Sequence, residues 1–250
     1  MSAHLALRSG NPALRADTFT RVPSVVGHET MTIGGTVNKT AMSLAILFVA
    51  AMYVWGRGTA EDLPMGLVVG GFIGGFVVAL VTVFKQTWAP YTTPLYAALE
   101  GLALGGISYL FEQRYPGIVA QAVFLTFGTL GALLFAYRSG IIRATENFKL
   151  GVFAATGGIG IVYLLSFVLG FVGINVPLIH SSGIFGILFS LFVVVIAALN
   201  LVLDFDFIEE GAERGAPKYM EWYGAFGLLV TLVWLYLEIL RLLAKLQSRR

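Results

Sequence analysis

The chain has 250 residues, of which 57% are hydrophobic and only 12% are charged, whereas about 25% of residues are charged in a typical soluble domain. The net charge of +2 is too small for a nucleic-acid-binding surface, and the lack of cysteine excludes disulfides and Cys-ligated metal sites. This composition excludes a disordered chain and a soluble enzyme of the usual type, and it favours an integral membrane protein.

Residues 1–40 are polar and contain no apolar stretch of signal-peptide length. We therefore expect a partly disordered tail over residues 1–40 and no cleavable signal peptide. A transmembrane domain is predicted over residues 41–243, followed by a short basic tail over residues 244–250.

Seven apolar runs follow the tail, and most have the roughly 17–25 residues needed to cross about 30 Å of hydrocarbon. They are predicted at Ala41–Gly56, Leu63–Phe84, Pro94–Phe111, Gly117–Tyr137, Leu150–Val172, Gly183–Leu203 and Trp222–Leu243. Because backbone polar groups in lipid must pair within their own segment, each run is predicted to be a helix. The first run is the shortest.

Loop charges predict a cytoplasmic N-terminus, because Lys and Arg concentrate on the cytoplasmic side. With that orientation the inner segments before the last run carry ten Lys and Arg, and the outer loops carry two, Arg57 and Arg114. The C-terminus opposes this assignment, since seven crossings place its basic residues outside. Those residues are Arg241, Lys245, Arg249 and Arg250.

Glycines recur in the second and third runs at small-xxx-small spacing, which lets helix backbones approach closely. The residues concerned are Gly66, Gly70, Gly71, Gly74, Gly75, Gly101 and Gly105. Tight packing is the simpler interpretation, and a hinge or pore wall is the alternative.

Only three charged residues lie inside the seven runs: Glu100, Glu238 and Arg241. Glu100 is near the middle of the third run, where a carboxylate costs about 2.5–3.5 kcal/mol on insertion scales. It is therefore expected to face protein or water, either as a functional group or in an interhelical hydrogen bond. Glu238 and Arg241 have the i,i+3 spacing of an ion pair, and Glu221 is expected at the membrane interface.

Asp204 and Asp206 follow the sixth run, and two residues correspond to about 200° around a helix. They should therefore point to opposite sides. Asp206 shares its face with a stretch that resembles a solvated acidic stripe, Glu209, Glu210 and Glu213. Asp204 shares its face with Asn200, which makes it the better candidate for an inward carboxylate.

Sequence motifs for catalysis are absent: there is no P-loop, G-x-S-x-G or H-E-x-x-H motif. His4, His28 and His180 are too scattered for a metal site. We therefore expect neither an enzyme nor a bound cofactor.

The stretch from Asp204 to Gly215, DFDFIEEGAERG, resembles the end of the sixth helix in the Bax inhibitor-1-like family, in particular its bacterial YccA-like branch. The continuation APKYMEWY into LLVTLVWLYLEILRLL is similar to that family's final helix. The segments SGNPALRADTF, MTIGGTVNKTA and LEGLALGGIS also resemble the bacterial branch. The resemblance covers nearly the whole chain.

The resemblance implies six helices around a central seventh, and a proton-sensitive calcium leak across a membrane. It also implies a pH sensor made of two aspartates, one on the sixth helix and one on the seventh. Asp204 matches the first aspartate, whereas Leu229 occupies the region of the second. Asp206, Glu221 and Glu100 are the available substitutes.

The leading hypothesis is therefore a cation leak channel, with calcium as the expected ion, in the bacterial inner membrane. Like charges close together in a low-dielectric site share a proton and titrate near neutral pH, and carboxylates are suitable ligands for a hard cation. Asp204 and Glu100 are expected to line the path and bind calcium transiently, with Asp206 as a further sensor. Gating or counter-charge candidates are Arg241, Glu238, Glu221 and Arg138.

Two other functions remain open. One is a membrane-embedded modulator of a quality-control protease or another membrane complex, for which the N-terminal tail would matter most. The other is a proton-coupled transporter of small solutes. The oligomeric state is left open by the sequence.

Overall fold

The computed structural model describes residues 30–58, 63–171 and 183–249. Within these ranges seven helices are long and apolar enough to cross a membrane, which confirms the predicted all-helical class. They are α1 (Ile33–Arg57), α2 (Met65–Phe84), α3 (Ala89–Arg114), α4 (Ile118–Arg138), α5 (Glu146–Phe171), α6 (Ile184–Glu213) and α7 (Met220–Gln247). The protein is therefore a multi-pass membrane protein, and the arrangement of six helices around α7 stays a prediction.

The chain divides into two compact units. Of the described residues, the α1–α3 unit contains 30–58, 63–119 and 208–230, and the α4–α5 unit contains 120–171, 183–207 and 231–249. Helices α6 and α7 therefore contribute residues to both units, and each unit is described by itself below.

Helix α1 begins at Ile33, earlier than the predicted start at Ala41, so the predicted tail boundary at residue 40 falls inside this helix. Thr32 caps it by accepting a hydrogen bond from the Gly35 N–H at 2.9 Å. The hydroxyls of Thr36 and Thr40 then donate to carbonyls one turn back, which makes these polar residues compatible with an apolar surrounding. The predicted disorder of residues 1–29 lies outside the described residues.

Helices α6 and α7 also extend beyond their predicted ends. Helix α6 reaches Glu213 instead of ending at Leu203, and α7 reaches Gln247 instead of Leu243. Asp204 therefore lies inside α6 rather than at its edge, and the predicted basic tail from residue 244 begins as helix. Two charged residues near the end of α6, Asp206 and Glu210, form ion pairs and so remain compatible with a helix.

In the α1–α3 unit, α3 packs on α1 and α2 through glycines. A Cβ atom on Gly105 would lie 2.8 Å from the Ala51 Cα of α1, and one on Gly71 would lie 2.5 Å from the Leu99 carbonyl oxygen of α3. Both distances are too short for real carbon contacts. The interpretation as packing positions is confirmed for Gly71, Gly101 and Gly105, whereas an added Cβ atom at Gly66 or Gly70 meets nothing within 4 Å.

Gly71→Ala is expected to destabilise the protein by about 1–3 kcal/mol, because the added methyl group meets backbone atoms that cannot move independently. Gly70→Ala is the matched control, since a Cβ atom at Gly70 meets nothing within 4 Å. Thermal unfolding in detergent should show a lower midpoint for the first variant only. Equal midpoints would contradict the close packing of α2 on α3.

In the α4–α5 unit, an apolar core joins α5, α6 and α7. Its buried residues are Ile159 of α5 with Val193 and Ile196 of α6, and Trp234 of α7 packs against them. Tyr163 and Phe189 extend this core with an edge-to-face ring contact, their centroids 6.3 Å apart. The core holds α6 next to α5 and fixes the orientation of the polar residues one to two turns further along α6.

Candidate functional site

Asp204 is a fully buried carboxyl group on α6. Neither of its oxygen atoms has a hydrogen-bond partner of acceptable geometry among the described residues, and Thr231 of α7 is the polar side chain that approaches it. Buried polar groups are hydrogen-bonded in the great majority of cases, so an unmatched carboxyl group needs an explanation. Within a membrane such a group marks a functional site by default.

Asn200 lies one turn before Asp204 on the same face of α6, as helix geometry predicts. Its amide nitrogen donates to the Thr156 hydroxyl of α5 and to the Ile196 carbonyl oxygen, both at 2.8 Å. Its amide oxygen is buried and has no donor. The face therefore carries three acceptor oxygens without donors, two from Asp204 and one from Asn200, and carboxylate and amide oxygens are ligands for hard cations.

Asp206 has a different environment from the one predicted. Instead of lying in a solvated stripe, its side chain is 22% exposed and forms an ion pair of 2.7 Å with Lys149 of α5. Glu146 approaches the same ammonium at 3.7 Å. The predicted divergence of the two aspartates agrees with these contacts, since one is paired and the other is not. The sequence pattern does not predict this pair, because Lys149 lies just before the fifth apolar run and its partner is on another helix.

Glu100 is half-buried on α3. Its Oε2 atom lies 3.0 Å from where a Cβ atom on Gly75 of α2 would be, so the carboxylate occupies space that a larger residue on α2 would fill. Glu100 belongs to the α1–α3 unit and Asp204 to the α4–α5 unit. Their predicted joint role along one path stays a prediction.

Glu221 is completely buried within the protein near the start of α7, and its position at the membrane interface stays a prediction. Its Oε1 accepts hydrogen bonds from the backbone N–H and the hydroxyl of Thr32, each at 2.9 Å. Lys39 of α1 pairs with Oε2, and the Lys218 ammonium lies 3.2 Å from Oε1. Because its oxygens are fully engaged, Glu221 anchors α1 to α7 and is poorly suited to bind a passing ion.

Glu238 and Arg241 form the ion pair expected from their spacing, with N–O distances of 2.9 and 3.0 Å. The Tyr163 hydroxyl donates to Glu238 at 2.9 Å, and Arg241 donates to the same hydroxyl at 2.8 Å. Arg138 is exposed in the last turn of α4. Of the two basic counter-charge candidates, Arg241 is therefore held in a polar cluster, whereas Arg138 is exposed.

Lys245 lies in the predicted tail segment, but it is a buried residue of α7. Its ammonium donates to the Gly186 carbonyl oxygen at 3.0 Å and to the Ser190 hydroxyl at 2.8 Å, both on α6. The signal that would have identified it is the seven-residue spacing from Glu238, which places both on one face of α7.

Among the residues that the structure describes, no group of three or more His, Asp or Glu side chains is placed to hold a metal ion. Leu229, at the position where the resemblance implies a second aspartate, is fully buried on α7. Position 229 therefore supplies no carboxylate that could share a proton with Asp204.

The model of a protein family described as "Bax inhibitor 1 like" matches residues 11–248, nearly the whole chain. No curated protein and no solved structure matches.

Proposed function

The chain belongs to the Bax inhibitor-1-like family, and from this premise we propose that it is a pH-sensitive cation leak channel with calcium as the expected ion. The observation that supports the proposal best is the buried, unmatched carboxyl group of Asp204. Together with the Asn200 amide oxygen it forms a patch of hydrogen-bond acceptors in an apolar interior. Either a proton on Asp204 or a bound cation would give these acceptors a partner.

Protonation would change the hydrogen bonding of this patch. A neutral carboxyl group supplies one O–H donor, which Thr231 or the Asn200 oxygen, one turn away on α6, would accept. The helices then stay packed and the path is closed. When Asp204 is ionised, the Thr231 hydroxyl is the one donor beside the three oxygens, and a hydrated cation satisfies the acceptors that remain. The flux is therefore expected to rise as the pH rises.

The other acidic candidates have different roles in this proposal. Asp206 is neutralised by Lys149, and Glu221 by Lys39 and Lys218. Glu100 is the remaining membrane-embedded carboxylate without an ion pair among the described residues, and we assign it to the path as a second acidic group. The gate would then depend on one titrating carboxyl group, because Leu229 replaces the second aspartate.

The proposed setting is the bacterial inner membrane, with the N-terminus in the cytoplasm. This orientation is supported by the excess of Lys and Arg in the inner segments before the last helix. A non-enzymatic role is proposed on the same grounds as before, the absence of catalytic motifs in the sequence.

A modulator of a membrane protease or another complex is the second candidate. It is favoured by the hydrogen bonds that connect the residues just before α1 to the start of α7. The Met31 N–H donates to the Ala216 carbonyl oxygen at 2.7 Å, and the Thr32 N–H donates to Glu221. A partner that bound the tail would act directly on the start of α7. A proton-coupled transporter is the third candidate, since a proton on Asp204 would serve it equally.

The test is calcium flux into liposomes that contain the purified protein, recorded between about pH 6 and about pH 8. We expect the flux to rise at least about fivefold over this range, the lower end of typical coupling between two sites. Glu100→Gln should lower the flux at every pH, whereas Glu213→Gln, an exposed residue on the same helix as Asp204, should not.

A flux without pH dependence would contradict the gated leak. If flux is absent and deletion of residues 1–29 alters the activity of a partner, the modulator is the better explanation.

A further inference from the structure

Lys245 is buried in an unusual way. Its side chain is 7% exposed, although lysine is almost never buried without an anionic partner. Lys149, also buried, has such partners in Asp206 and Glu146. Among the described residues Lys245 forms no ion pair, and its hydrogen bonds go to two neutral oxygens, those of Gly186 and Ser190.

Snorkelling does not explain this arrangement. A lysine near the end of a membrane helix normally extends its ammonium to the headgroups and water. Here the ammonium points to the first two turns of α6 instead, and the Ser190 hydroxyl that it binds is itself 1% exposed. The charge is therefore held inside the protein by specific contacts.

The position of Lys245 continues a buried polar row along α7. Thr231, Glu238 and Lys245 are spaced by seven residues, so each is only about 20° further around the helix than the last. All three are buried. The row begins at Thr231, which approaches Asp204, and it covers about 21 Å along the helix at 1.5 Å per residue.

The contacts of the ammonium resemble those of a bound cation. Carbonyl and hydroxyl oxygens are the groups that replace the hydration shell of ions in selective pathways. Beside them, Glu238 is balanced by Arg241, so that Lys245 gives this end of the row a net positive charge. A cation that followed the row from Asp204 would meet a position already filled by a fixed charge.

We infer that the Lys245 ammonium is a tethered cation that occupies a cation-binding position formed by Gly186 and Ser190. It thereby limits the flux through the half of the membrane in which α6 begins and α7 ends. The inference rests on the proposed cation leak and adds to it a second control point, distinct from Asp204. The ligand class of the position is a small inorganic cation.

The test compares three variants in calcium-flux and potassium-flux measurements with liposomes. Lys245→Gln removes the charge but keeps an amide that can donate to Gly186, and it should raise the flux about tenfold, equivalent to about 1.4 kcal/mol. Lys245→Arg retains the charge and should therefore raise the flux much less than Lys245→Gln does. The double variant Lys245→Gln, Ser190→Lys supplies an ammonium from α6 instead, and its flux should fall back towards that of the wild type.

The outcomes separate the two proposals. If Asp204→Asn changes the flux but Lys245→Gln does not, the tethered-cation inference is wrong and the leak proposal stands. If Lys245→Gln and Lys245→Arg raise the flux equally, loss of packing explains the effect and the inference is again wrong. If neither the wild type nor Lys245→Gln conducts, both proposals are wrong. Size-exclusion profiles and unfolding midpoints of all variants are compared first, and the double variant provides the rescue that a merely misfolded protein would not show.

Discussion

Replacing Glu221 by leucine is expected to destabilise the protein by about 3–5 kcal/mol, because it removes one partner from a buried ion pair and leaves the other without compensation. Lys39 would keep its charge in a largely buried position, with a side chain only 18% exposed. The backbone N–H and the hydroxyl of Thr32 would lose their acceptor at the cap of α1. Unfolding in detergent micelles, followed by circular dichroism, measures the loss.

Glu210→Gln is the matched control for this experiment. Glu210 pairs with Arg214, the residue that follows the end of α6, and that arginine side chain is 44% exposed. Exposed i,i+4 pairs contribute well under about 1 kcal/mol. Glu221→Gln should be intermediate, because it keeps an oxygen for Thr32 and loses the charge for Lys39. A Glu221→Leu variant as stable as Glu210→Gln would contradict the role of Glu221 as the anchor of α1.

Asp204→Asn is expected to have two effects: the protein becomes more stable, and its flux no longer responds to pH. The asparagine amide has the same shape as the carboxyl group and supplies N–H donors to a patch in which acceptors outnumber donors. An unsatisfied buried group costs about 1–3 kcal/mol, so a gain of that order is expected. The flux should no longer depend on pH, because the titrating group is gone. Such a trade between stability and activity is common where a functional site is strained or unmatched.

Asp206→Asn should behave in the opposite way, although the residue is only two positions further along α6. It leaves the buried ammonium of Lys149 without its closest partner, at 2.7 Å in the wild type. A loss of stability is therefore expected, while the pH response through Asp204 is retained. The same unfolding and flux measurements apply to both variants. Equal changes of stability for the two would contradict the contrast between a paired and an unmatched aspartate.

The seven helices could be predicted from the sequence because hydropathy and length alone determine which segments suit a membrane interior. Their ends could not. Thr36 and Thr40 satisfy their own hydroxyls within α1, and the charged end of α6 is stabilised by Lys149 from another helix. A hydropathy pattern records the polarity of such residues, not whether they are paired.

The candidate site was predictable to a similar extent. The opposite directions of Asp204 and Asp206 follow from helix geometry within one segment, and the sequence was sufficient for that. The partners of Glu221 are 182 and 189 residues away in the chain. Such pairings depend on how the helices pack, as does the burial of Lys245 against Gly186 and Ser190. One sequence does not specify these contacts.

The central claim is that one buried carboxyl group, Asp204, controls a cation leak. It is tested most directly by the ratio of calcium flux at about pH 8 to that at about pH 6, measured in liposomes for the wild type and for Asp204→Asn. We expect a ratio of at least about five for the wild type and about one for the variant. The same ratio in both proteins would contradict the claim.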